Sequence, residues 1–237
     1  MLRVLGLLWR SLGEYYYDIV SLTGINLLWL LTSAGPFFGF LALAQYTGMS
    51  WLAVFSLLAL IIVPPSLGGL MYATQQFNLG ESVDRHTYFT GLRRYFKLSW
   101  LVFITDVLIG GLLALNCWFY LSRDSTVLRL VGLIWIYALA FWLMVQCYLW
   151  PLMVEQERKK LTLMYRNSAL LIIDNLGFSI ALIVVLIPFI FLCLILGLPA
   201  LLFMGVVAGL VVHKALTRIL EKYQTSEEQP GPVAAEG

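Results

Sequence analysis

One carboxylic acid lies well inside the apolar stretches of this chain. Asp106 stands six residues beyond Trp100, which places it ~9 Å from the start of its stretch at the rise of an α-helix. Asn26 lies a comparable distance into the first apolar stretch, and Gln146 lies four residues before the end of the fourth. An acid in hydrocarbon is costly to hold and faces the interior of a helix bundle, where it carries a proton, cation or substrate or pins helices by hydrogen bonding. Asn26, Asp106 and Gln146 are therefore predicted to share one polar layer. Their residue types allow either the transport chemistry or the structural role.

Other chemistry is poorly provided for. The sequence has no His-Glu-x-x-His, no Gly-x-Ser-x-Gly and no phosphate loop, so no catalytic residue is predicted. Tyr17-Asp18 and Pro199-Ala200-Leu201 look like two of the three motifs of presenilin-type intramembrane aspartyl proteases. The third fails, because Ile104-Thr105 precedes Asp106 in place of Gly-x-Gly, and Asp18 at a boundary is badly placed for the close dyad such chemistry needs. Cys117, Cys147 and Cys193 fall singly in different stretches without ligand spacing, so neither metal nor cofactor is expected. Cys117 and Cys193 could pair, but lone buried thiols acting as small apolar residues are the expectation.

The elements that must position these groups follow from composition. Hydrophobic residues make up 61% of the 237 and charged residues only 12%, far below the ~25% of a soluble domain. A net charge of +2 is too balanced for a nucleic-acid partner. No charge occurs between Asp18 and Glu81, nor between Asp174 and Lys214. Spanning ~30 Å of hydrocarbon takes ~20 apolar residues, and helices satisfy their own backbone groups. The predicted fold is all-α, with six transmembrane helices at Ile19 to Gln45, Trp51 to Ala73, Trp100 to Tyr120, Leu128 to Trp150, Asn175 to Leu196 and Pro199 to Leu216. The first is expected to break at Gly35-Pro36.

Thirteen of the 15 Lys and Arg residues then fall on the side of the amino terminus, leaving Arg123 and Arg129 opposite. Positive charge marks the cytoplasmic side, so both termini are predicted to be cytoplasmic. Residues 1–18 read as an interfacial amphipathic segment, with Arg3 and Arg10 opposite Leu2, Leu5, Leu8, Trp9 and Leu12. Residues 19–220 form the transmembrane domain, and 221–237 read as a disordered cytoplasmic tail. Gly205-x-x-x-Gly209, Gly68-Gly69 and Gly110-Gly111 offer small faces for helix packing within the chain or at a homodimer seam.

Before the third span, Tyr88, Phe89, Leu92, Tyr95, Phe96 and Ser99 gather on one side of a helical projection, with Arg93, Arg94 and Lys97 opposite. Such a helix is predicted to lie on the inner leaflet, where it retains the loop in the cytosol or docks anionic lipid or a protein partner.

Asn26-Leu27-Leu28-Trp29-Leu30-Leu31, then Pro64, Gly80-Glu81 and Tyr88-Phe89-x-x-Leu92-Arg93-Arg94-Tyr95-Phe96-Lys97, resemble the YesL-like family of bacterial membrane proteins over roughly residues 15 to 110. Tyr95 stands where that family usually has Asn. The resemblance implies a bacterial inner-membrane protein with an accessory role near carbohydrate uptake, and it carries over no catalytic residues. The expected function is a non-enzymatic accessory or scaffold subunit whose partners are the bilayer, anionic lipid and transporter subunits or a second copy. The alternative is a small-solute transporter or channel with Asp106 in its pathway.

Overall fold

Three proline positions open helices within the apolar runs. Pro36 opens one helix, Pro64 and Pro65 another and Pro199 a third, each in the first turn, where a missing N–H costs nothing. The computed structural model describes residues 1–227, and all regular structure among them is helical. The helices are α1 (Leu2–Tyr17), α2 (Ile19–Ser33), α3 (Gly35–Thr47), α4 (Leu52–Ala59), α5 (Val63–Asn78) and α6 (Arg85–Arg94), followed by α7 (Phe96–Leu121), α8 (Thr126–Glu155), α9 (Leu161–Asp174), α10 (Leu176–Leu196), α11 (Leu198–Leu202) and α12 (Met204–Glu227). A single 3-10 turn, Leu60–Ile62, joins α4 to α5.

The chain makes three excursions from one polar end of the molecule. The first runs through α2 to α5, the second through α7 and α8, and the third through α10 to α12. Side-chain contacts tie their feet together. The Gln75 amide donates to Glu155 at 2.6 Å, Lys214 pairs with Glu14, and the Tyr223 hydroxyl donates to Asp174 at 2.9 Å. The Lys159 ammonium sits 5.2 Å from the centre of the Tyr95 ring. At the far end of the second excursion, Arg129 meets Asp124 at 3.7 Å and the Arg123 carbonyl at 2.8 Å. The 26 residues of α7 separate those two ends by ~39 Å.

Leu52–Asn78, α7, α8 and α10 are each long and apolar enough to cross a bilayer, and α2 with α3 makes a fifth crossing if the pair, bent by 51°, is one span. The bend falls at the expected Gly35-Pro36. The stretch Pro199 to Leu216, expected as a sixth continuous span, divides instead at Phe203 into α11 and α12. Val206, Val207, Leu210, Val211, Ala215 and Leu216 of α12 are almost fully buried, so this helix packs inside the bundle against α5, α2 and α8. Because α12 continues to Glu227, residues 221–227 belong to a helix where a tail was expected. The rest of that expected tail, 228–237, lies outside the described residues.

Helix α1 has three faces where the sequence suggested two. Val4, Leu7, Ser11 and Tyr15 recur at i, i+3, i+7 and i+11 and are buried against the protein, while Leu2 and Trp9 remain 85% and 78% exposed. The first excursion ends in an α3–α4 hairpin, and α3 packs on α4 and α2.

Candidate functional site

The three polar residues expected in one layer divide between two places. Asp106, on α7, is 9% exposed. One of its carboxyl oxygens accepts two hydrogen bonds, from the Gln146 amide of α8 at 2.9 Å and from the Tyr165 hydroxyl of α9 at 2.6 Å. Three helices thus meet on one oxygen. Tyr165 escaped the sequence reading because the basic segment around it shows no clean apolar period, yet it folds as α9.

Asn26 belongs elsewhere, at the junction of α11 and α12. Fully buried on α2, it donates from its amide nitrogen to the carbonyls of Ala200 and Leu201 at 3.0 and 2.7 Å, and its amide oxygen accepts from the N–H groups of Gly205 and Val206 at 2.8 and 3.2 Å. Helix ends leave backbone groups without partners inside the helix. The primary amide offers two donors and an acceptor, so one side chain stands in for the peptide units missing at Phe203. Gly205 permits this approach, because a Cβ there would lie 2.6 Å from the Trp29 ring and 3.0 Å from the Asn26 amide oxygen.

The aromatic and basic residues from Tyr88 to Lys97 do not form the continuous surface helix expected. The helix breaks at Tyr95 between α6 and α7, and the aromatic side faces protein. Tyr88, Leu92, Tyr95 and Ser99 are buried, while Phe89 and Phe96 are 38% and 37% exposed. Glycines set the fit. A Cβ on Gly69 would stand 3.0 Å from Tyr88, one on Gly91 would stand 2.5 Å from the Tyr72 Cβ, and one on Gly68 would collide with the Ser99 hydroxyl. Asp84 caps α6 by accepting from the Thr87 N–H and hydroxyl, each at 2.9 Å, and these hydrogen bonds hold its pKa below the ordinary carboxylate value.

The Tyr88 hydroxyl shares a 2.6 Å hydrogen bond with Thr32 and donates to the Ser66 carbonyl at 3.3 Å; burial pushes its ionisation up to about 12. On the basic side, Arg93, Arg94 and Lys97 are exposed, and the Arg94 guanidinium lies 6.0 and 5.7 Å from the Tyr72 and Tyr95 ring centres. Lys159 joins them from the segment after α8. It donates to the carbonyls of Met153 and Val154 at 3.0 and 2.7 Å, which suits a cation at a helix C-terminus. Its charged form is disfavoured, first by burial and then by Arg94.

Of the glycines expected at helix contacts, Gly68, Gly69, Gly110, Gly205 and Gly209 each have a side chain within 3.0 Å of where a Cβ would stand, with Trp142 against Gly110 and Thr74 against Gly209. Gly111 is the correction, since nothing lies within 4 Å of its Cβ position. Cys117, Cys147 and Cys193 are free thiols. Comparison of the chain with models of known families, with characterised proteins and with solved structures gives no match.

Proposed function

We propose that this chain is a non-enzymatic accessory or scaffold subunit of a bacterial inner membrane, one that crosses it six times with both termini in the cytoplasm. On this reading each excursion makes two crossings, and the last is the broken pair α11–α12. The resemblance to the YesL-like family supports placement beside a carbohydrate-uptake system, with transporter subunits as partners. The observation that carries the reading is the fate of the polar groups. A pathway needs polar groups free to receive a solute at several depths. Here Asn26 spends its amide on four backbone groups of one helix break, and Asp106 accepts from two side chains that hold α7, α8 and α9 together.

The transporter alternative rests on the acid at Asp106 and is tested with the same preparation. Tagged wild-type and Asp106→Asn proteins are purified in mild detergent, and a deletion strain is complemented with each. The scaffold reading expects a stoichiometric transporter subunit with both proteins and full complementation by the variant, because Asn keeps the shape and can accept from Gln146 and Tyr165. A folded Asp106→Asn protein that fails to complement overturns the reading in favour of a proton or cation site.

A further inference from the structure

We propose that the groove between α1 and α12 binds the phosphate of an anionic phospholipid from the leaflet in which α1 lies. Arg3, Leu7, Arg10 and Glu14 recur along one face of α1, and Lys214, Arg218 and Glu221 recur along one face of α12. Residues three and four apart share a helix face, and these two faces meet across an open cavity of about 560 Å³ that Asn78 at the end of α5 also lines. Four cations and two carboxylates line it. Glu14 is engaged by Lys214, so the cavity keeps a positive excess, with Arg3, Arg10 and Arg218 all exposed.

A second feature selects a lipid over a free anion. The flank of α1 opposite its buried residues exposes Leu2, Trp9 and Tyr16 at 85%, 78% and 76%. Trp and Tyr favour the headgroup level of a bilayer, so the helix that supplies two arginines to the groove also carries an exposed apolar flank suited to acyl chains. A phospholipid satisfies both at once, its phosphate diester among the arginines and its chains along α1. Inorganic phosphate would satisfy only the first.

The test uses the full-length protein in detergent, with thermal unfolding as the readout of binding. Phosphatidylglycerol in mixed micelles is expected to raise the unfolding midpoint in a saturable way, whereas phosphatidylcholine and inorganic phosphate are not. Replacing Arg3, Arg10 and Arg218 together by Gln removes about 1 kcal/mol of attraction per cation, roughly a hundredfold in apparent affinity. Replacing the same three by Lys should retain most of the binding, which guards against a folding defect in the Gln variant. Three Gln substitutions at the exposed Arg85, Arg158 and Arg166 remove equal charge elsewhere and should leave affinity nearly intact. An equal loss in that control, equal stabilisation by phosphatidylcholine, or equal stabilisation by inorganic phosphate would each overturn the site.

Discussion

At the scale of single residues, the most consequential side chain is Asn26, which its depth assigns to a layer with Asp106 and Gln146 and which instead closes a helix break. Asn26 lies among leucines, and its type announces only that a buried amide must find partners. Its four hydrogen bonds reach residues about 175 positions away, a closure that no local pattern encodes. Replacing it by Ala strands two carbonyls and two N–H groups in an apolar interior, where an unmet buried group costs ~1–3 kcal/mol. Some of those groups will repair by local rearrangement, so the expected loss is ~2–4 kcal/mol, seen as a lower midpoint of thermal unfolding in detergent. Asn26→Asp should do no better at neutral pH, because a carboxylate can accept from Gly205 and Val206 but would confront the Ala200 and Leu201 carbonyls without a donor. If either variant unfolds within a degree of wild type, the break between α11 and α12 is held by something other than this amide.

At the scale of elements, two glycines separate close packing from mere composition. A Cβ at Gly91 would fall 2.5 Å from the Tyr72 Cβ and 2.8 and 2.9 Å from its ring, and a Cβ, fixed to the backbone, cannot swing aside. Gly91→Ala should therefore push α6 off α5 and destabilise the protein by ~1–3 kcal/mol. Gly111→Ala meets empty space and removes a poor helix former from the middle of α7, so its effect should be neutral or stabilising by up to ~1 kcal/mol. Measured side by side, equal effects would show that the α5–α6 contact is slack. The pair also shows what was legible in the sequence. Apolar runs of spanning length and the Gly35-Pro36 pair located α2, α3, α7, α8, α10 and the stretch Leu52–Asn78 to within a few residues, since hydrocarbon length and a missing N–H act locally, but not the division of that stretch into α4 and α5. Depth put both Gln146 and Asn26 beside Asp106, and only the Gln146 contact is made. The aromatic period from Tyr88 to Ser99 buries Tyr88, Leu92, Tyr95 and Ser99 but leaves Phe89 and Phe96 exposed, and periodicity cannot say whether an apolar face meets lipid or protein. Only the glycines opposite it reveal that α5 is the occupant. Tyr165, Lys159 and the break at Phe203 had no sequence signal, because each is defined by a partner distant in the chain.

At the scale of the whole molecule, the three excursions make topology a question with few answers. Glu14 with Lys214, Gln75 with Glu155, and Asp174 with Tyr223 fasten the feet of all three at one end, so the first and last helices cannot be on opposite sides while these contacts hold. The ion pair of α1 with α12 in particular couples the two termini of the described chain. The basic segments gather at this end, with Arg123 and Arg129 left at the turn between α7 and α8, and cations retained in the cytosol orient such an arrangement. A reporter fused after Lys222 is therefore expected to be active only in its cytoplasmic form, and one inserted between Ser122 and Thr126 only in its external form. The two insertions test different steps, because the first reports whether α10 to α12 returns to the side it left and the second whether α7 crosses fully. An external signal after Lys222 would mean that α11 and α12 do not bring the chain back, and the Glu14–Lys214 pair would then have to be abandoned along with the six-crossing topology. Reversing Lys214 and Glu14 together should preserve the cytoplasmic signal, since attraction between the two helices survives the exchange, whereas Lys214→Glu alone sets two carboxylates against each other. That single variant should weaken the docking of α1 on α12, and protease cleavage within α1 in inside-out vesicles would measure it directly.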